Sequence, residues 1–176
     1  MMIHLTIPFH EKELQSLKAG DEVLLSGDIY TARDQAHKRF ADALKKGGCL
    51  PLELKGKVIY YCGPAKTPKG RAIGSCGPTT ASRMDLLTAP IFEAGAVAVI
   101  GKGRRSEEVR KLIKKHKGVY FLATGGAGAL LSKKVIASKV MCFADLGPEA
   151  VRKLTVKDFP VIVGIDSRGK DVFKHG

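Results

Sequence analysis

Ala96-Val97-Ala98-Val99-Ile100, the turn Gly101-Lys102-Gly103, the charged run from Ser106 to Lys117, and Val119-Tyr120-Phe121-Leu122-Ala123 form the stretch that decides the fold. The first run is short, apolar and rich in β-branched residues, and glycine ends it. It reads as a buried strand. Ser106 to Lys117 reads as a helix, and Val119 to Ala123 as a second buried strand. A buried strand, a helix and another buried strand in succession predict an α/β domain whose sheet is at least partly parallel.

The same alternation extends in both directions. Val23 to Tyr30 predicts a strand running into a turn, then a helix to about Lys46, closed by Gly47-Gly48. Val58 to Cys62 predicts a buried strand bounded by Gly63-Pro64. A helix is expected after Thr80, broken near Pro90, with Thr88 capping its second piece. Ala127 to Leu131 reads as helical, and Val140 to Phe143 and Val161 to Ile165 as later strands. There are no repeats, no low-complexity segments and no boundary strong enough to divide the chain. Residues 1–176 are therefore expected to form one domain, long enough to bury a real core.

Composition narrows the function classes. Hydrophobic residues make up 44% and charged residues 27%, as in a soluble globular protein. No apolar stretch approaches the roughly 18 residues of a membrane span. Pro8, His10 and Glu11-Lys12-Glu13 interrupt any signal-peptide layout, so a cytoplasmic location is expected. The cysteines Cys49, Cys62, Cys76 and Cys142 form no C-x-x-C pair and have no histidine at metal-finger spacing, so no complete metal site is expected within this chain. The net charge is +13, concentrated in Lys102, Arg104, Arg105, Arg110, Lys111, Lys114, Lys115 and Lys117. Such a run fits nucleic-acid phosphates, a small anionic substrate, an acidic partner or simply a solvated helix face. For most of these residues the solvated face is the expectation. With 6% aromatic residues and no tryptophan, the chain is poor material for stacking single-stranded bases.

Ligands of open α/β sheets gather beyond the carboxyl ends of the strands. Four such ends carry chemistry here. The first is Tyr30-Thr31-Ala32-Arg33-Asp34, where Thr31 and Asp34 have near capping-box spacing. Arg33 and His37 share a helical stripe with Phe40 and Leu44, so Arg33 needs either a ligand or a partner such as Asp28 or Asp34. The second end carries residues 63–71 and then Gly74-Ser75-Cys76-Gly77-Pro78-Thr79-Thr80-Ala81-Ser82-Arg83-Met84-Asp85. This is a tight loop opening a helix, with threonine hydroxyls at the cap and free N–H groups facing an anion. Arg83 in the first turn opposes the helix dipole, which points to a bound anion; the alternative is an ordinary capped helix. The third end, Gly101-Lys102-Gly103, fails as a Walker loop: Gly95 is one residue too far away, and Gly103 stands where a Ser or Thr would hold magnesium. The fourth, Thr124-Gly125-Gly126-Ala127-Gly128, lacks dinucleotide-fingerprint spacing. Together they predict that Arg33, Arg83 and Lys102 converge on a small, multiply charged anion, phosphate or dicarboxylate alike.

The segments Gly27 to Arg39, Tyr61 to Pro64, Gly74 to Asp85, Gly101 to Gly103 and Gly125 to Ala127 occur in this order. In them the chain resembles the β subunit of class I, iron–sulfur-dependent fumarate hydratase, equivalent to the C-terminal domain of the single-chain enzymes. L(+)-tartrate dehydratase β subunits belong to the same family. The resemblance runs from about Leu17 to Val172 and centres on Gly77-Pro78-Thr79-Thr80 followed by Arg83-Met84-Asp85. It implies a single swivelling β/α domain, with a central, partly parallel sheet flanked by helices. It also implies a cluster-binding α subunit as partner, in an α2β2 assembly. That partner would hold a four-iron four-sulfur cluster on three cysteines, with one iron open to act as Lewis acid on the substrate hydroxyl. By the same resemblance Thr79 takes the proton from the carbon next to a carboxylate. Arg33, Arg83 and Lys102 bind the dicarboxylate, and Thr80 and His37 lie beside them. Read from the residues alone, Thr79 is a helix cap and His37 the base. The expected reaction is the interconversion of fumarate and L-malate, with tartrate dehydration by the same machinery as the alternative. A basic nucleic-acid-binding protein is the competing reading of another class.

Overall fold

The computed structural model describes residues 1–124 and 126–174. Strand β1 (Ile3–Thr6) leads through helix α1 (Glu11–Ser16) into β2 (Glu22–Thr31) and helix α2 (Asp34–Lys45). Strand β3 (Val58–Tyr60) is followed by a long loop, a 3₁₀ helix (Ala81–Leu87) and helix α3 (Thr88–Glu93). Next come β4 (Ala98–Gly101), α4 (Glu107–Lys115), β5 (Val119–Leu122) and α5 (Gly128–Ser132). Strand β6 (Val135–Cys142), a second 3₁₀ segment (Ala144–Glu149) and β7 (Val151–Ile165) complete the order. Among the described residues no helix is long and apolar enough to cross a membrane.

The sheet runs β1-β2-β3-β4-β5-β7-β6, and β2 also pairs with β7. Neighbours from β1 to β5 are parallel, whereas β7 is antiparallel to β2, β5 and β6. One edge of β7 follows β2, and its other edge is shared between β6 at residues 151–156 and β5 at residues 162–165. The pairings therefore close a circuit from β2 through β3, β4, β5 and β7 back to β2. This mixed sheet, flanked by helices, is the expected fold class.

Strand alternation explains why the stretches read as continuously apolar: both faces are buried. Val58, Tyr60, Cys62, Ala98, Ile100, Val119 and Phe121 join Leu25, Ile29, Leu154 and Phe159 in one core. Ile59, Tyr61, Val99 and Tyr120 face the other way and pack with Phe40, Ile91, Phe92, Val109 and Ile113 from the helices. Each large side chain buried this way contributes about 1.5–3 kcal/mol relative to exposure.

Several local expectations give way to tertiary contacts. Thr31 is no helix cap: it ends β2, donates to the Ala150 carbonyl at 3.3 Å and accepts from the Arg152 amide at 3.0 Å. The helix expected after Thr80 is a 3₁₀ helix of 7 residues, and no hydroxyl caps it. It breaks between Leu87 and Thr88, two residues before Pro90, where the second piece is expected to begin. Thr88 is buried, and its hydroxyl lies 2.7 Å from the Met84 carbonyl instead of capping α3. Strands β6 and β7 begin well before the short apolar cores that marked them, since their outer residues alternate polar with apolar.

Candidate active site

The carboxyl ends of the parallel strands lie side by side. The Ala32 amide donates to the Tyr60 carbonyl at 3.0 Å, Tyr61 to Ile100 at 2.8 Å, and Ala123 to Gly101 at 2.9 Å. Beyond Tyr61 the ends of β3 and β4 part, and the chain at Thr79 and Thr80 inserts between them. The Thr79 amide donates to the Tyr61 carbonyl at 2.6 Å, the Lys102 amide to the Thr79 carbonyl at 3.3 Å, and the Ala81 amide to the Lys102 carbonyl at 2.9 Å. Thr80 and Lys102 thus pair as a parallel bridge. Gly101 permits the insertion: a Cβ there would stand 2.8 Å from the Tyr61 ring and 3.0 Å from the Ala81 methyl. Gly128 serves the neighbouring contact, where a Cβ would come within 2.7 Å of the Gly77 nitrogen. Gly125, in the same loop, lies outside the described residues.

This wiring narrows one expectation. The amides of Thr79, Ala81 and Arg83 already donate to backbone carbonyls, and the helix behind them is short. Among the described residues the amides of Thr80 and Ser82 have no backbone partner, so an anion here would meet those and the side-chain cations. Thr79 is half-buried, Thr80 exposed and Lys102 half-buried; among the described residues Lys102 makes no ion pair.

Arg33 and Arg83 come together through Asp34, the first residue of α2. Arg83 lays two guanidinium nitrogens on Asp34, Nε at 3.2 Å and Nη2 at 2.9 Å, and Arg33 Nε lies 3.7 Å from the same carboxylate. Arg33 Nε is buried without a hydrogen bond, and Glu149 is 4.0 Å away. Of the two carboxylates expected to partner Arg33, Asp34 is the one in place; Asp28 instead accepts from Thr155 and pairs with Lys153. Arg83 belongs to the turn that starts at Thr80, so the arginine pair and the Thr79–Lys102 bridge share one short segment.

His37 is brought close but not to the surface. It is wholly buried, with its ring edge-on to Tyr61 and Nδ1 2.8 Å from the Arg33 carbonyl. A carbonyl only accepts, so Nδ1 carries the proton and Nε2 is left without a partner. Burial is the main cause holding the imidazole neutral, with its pKa lowered to about 4.

Two features escape a sequence reading. Arg105, expected on the solvated basic face, is buried with its side chain 0% exposed. It reaches Asp85 at 2.6 Å, Thr88 at 2.7 Å and the Tyr61 hydroxyl at 3.3 Å, and lies over the rings of Tyr61 and Tyr120. The other Asp85 oxygen accepts from the Ser106 amide at 2.8 Å. The end of the threonine motif is thereby tied to the Lys102 loop. The second feature is Glu149, which accepts from the Gln35 amide at 3.2 Å and so caps α2 from far along the chain. The rest of the basic run is partly neutralised, with Arg110 and Lys174 both on Glu107 and Lys117 on Glu11.

The cysteines divide by environment. Cys49 is exposed and Cys142 half-buried, while Cys62 and Cys76 are buried together. The neighbouring Cys76 and burial push the Cys62 thiol up, and Cys62 in turn lowers the pKa of Cys76. Among the described residues no three His, Cys, Asp or Glu side chains gather as a metal site.

Fold and site together define an α/β protein with a cationic, threonine-bearing surface at the carboxyl ends of its parallel strands. Along residues 1–176 the chain matches the family described as Fumarase C-terminus, and it belongs to that family. It is 42% identical over 166 residues to fumarate hydratase 2 of Leishmania major, covering 92% of this chain and 29% of that protein. Against the aerobic class I fumarate hydratase of Escherichia coli it is 38% identical, covering 93% of this chain and 30% of that enzyme. A Methanocaldococcus jannaschii protein carrying the name L(+)-tartrate dehydratase subunit beta is 38% identical, over 94% of this chain and 88% of its own length. The chain thus spans about a third of the fumarate hydratases it matches.

Proposed function

We propose that this chain supplies the proton-transferring and dicarboxylate-holding half of a cytoplasmic hydro-lyase that interconverts fumarate and L-malate. The observation that carries the reading is the insertion of Thr79 and Thr80 between the ends of β3 and β4, beside Lys102 and one short turn from the Arg83–Arg33 pair. Thr79 takes the proton from the carbon next to one carboxylate. Removing that proton drives charge onto the carboxylate, and fixed cations aimed there stabilise the transition state. Arg33, Arg83 and Lys102 have that role, and Thr80 and His37 border them. A threonine hydroxyl is a weak base at its ordinary pKa, so the neighbouring cations are also what activates Thr79.

The residues of this chain do not fit an iron–sulfur cluster. Its only paired cysteines, Cys62 and Cys76, lie inside the core, and no third ligand joins them among the described residues. In this reading the four-iron four-sulfur cluster belongs to a partner α subunit, in an α2β2 assembly, and each step above belongs to this chain.

The test is anaerobic co-expression with a cluster-bearing partner. The complex is expected to dehydrate malate, with neither subunit active alone. A cluster-loaded complex inert toward malate, fumarate and tartrate would overturn the reading. Tartrate dehydration is the second reading, favoured by the relative whose length this chain nearly fills. Comparing kcat/KM for malate and L(+)-tartrate decides between them.

A further inference from the structure

Asp34 is the first residue of α2, where its charge suits the helix dipole, but among the described residues its carboxylate caps no amide of that turn, and the Gln35 amide is served by Glu149. The Asp34 carboxylate turns instead to two guanidiniums, 20% exposed between Arg33 and Arg83. Both arginines address the same oxygen, at 3.7 Å and 2.9 Å. Two cations this close repel each other unless an anion stands between them.

The geometry on Arg83 is selective. Its Nε and one Nη2 hydrogen are engaged by Asp34. A guanidinium carries five N–H donors, so one Nη1 hydrogen and the second Nη2 hydrogen remain paired on its outer edge, in the layout that grips a carboxylate end-on. Arg83 is half exposed on a 3₁₀ turn. We infer that Asp34 is the positioning residue of the dicarboxylate site. It holds the side edge of Arg83, so that the end-on edge faces substrate. This inference rests on the hydro-lyase reading above.

The test is a double-mutant cycle in the cluster-loaded complex. Asp34→Asn keeps shape and removes charge, and is expected to raise KM for malate at least tenfold. In an Arg83→Lys background the same change should cost less than threefold, because Asp34 acts through the fork that lysine lacks. Asp34→Glu keeps the carboxylate and should recover most of the KM; it carries the test if the asparagine variant does not assemble. An Asp34→Asn KM within threefold of wild type overturns the inference, as does an equal loss in both backgrounds. A tenfold loss in Asp34→Glu, where that variant stands alone, also overturns it. If the wild-type complex is itself inert, the hydro-lyase reading falls and takes the inference with it. An active wild type with a silent Asp34→Asn removes the inference alone.

Discussion

Thr79 separates two roles by one oxygen atom. It has no capping bond in the 3₁₀ turn, so a purely structural duty for its hydroxyl is small. Thr79→Val is expected to fold, to bind substrate and to lose turnover, while Thr79→Ser keeps part of it. The valine complex should also fail to exchange the C3 hydrogen of malate with deuterated solvent; normal exchange would return Thr79 to a structural role. Arg83→Lys tests the fork in the same complex: at least roughly tenfold lower kcat/KM, or about 1.4 kcal/mol of transition-state binding. His37 makes a prediction about pH. Its folded pKa, about 4, lies below its unfolded value near 6.5. The unfolded chain gains that proton first on acidification. His37 therefore contributes stability fully above about pH 6.5 and loses it as the pH falls toward 4, on the order of 3 kcal/mol at most. Urea titrations from pH 7.5 to 4 should show a shallower slope for His37→Gln than for wild type.

The elements behind the site are held by contacts between loops. Arg105 joins the end of β3, the 3₁₀ turn and the start of α3 to its own loop before α4 by binding Tyr61, Asp85 and Thr88 at once. Arg105→Met leaves Asp85 charged without its partner, and should lower stability by about 3 kcal/mol, as for a broken buried ion pair. Arg110→Gln, on the exposed face of α4, should leave the urea midpoint nearly unchanged. Gly101→Ala is the matching test of the insertion. The added methyl meets Tyr61 and Ala81, so overpacking of about 1–3 kcal/mol is expected, together with weaker malate binding. Strand positions of the stretch from Ala96 to Ala123 were legible because burial on both faces demands an apolar run. The 3₁₀ turn was not, because its local pattern is that of an ordinary helix start. The inter-strand bridge at Thr80 and Lys102 is what leaves no room for one.

At the scale of the whole molecule, the proposed cations and threonines sit on loops at the carboxyl ends of the parallel strands, with Arg83 half exposed and Thr80 exposed; in the proposed complex this is half of a shared site. The isolated chain should fold cooperatively, bind malate weakly and catalyse no hydration. Anaerobic reconstitution with iron and sulfide should give no cluster absorbance without the partner; absorbance from the purified chain alone would contradict the division proposed above.

From β2 onward the main strands and helices, the four carboxyl-end loops and the candidate cations were readable along the chain, since each depends on local periodicity or on glycine and proline at turns; β1, α1 and the second 3₁₀ segment were not. The motif from Gly77 to Asp85 also pointed to the family. Folding was needed to show that Asp34 joins Arg33 to Arg83, that Glu149 caps α2 and that Arg105 turns inward. Folding also closed the strand circuit through β7. These facts depend on pairs far apart in sequence, and a charged residue carries no local mark of which distant carboxylate it will meet. Where hydrogen-bond geometry across 20 to 114 positions chooses the partner, only the packed chain contains the answer.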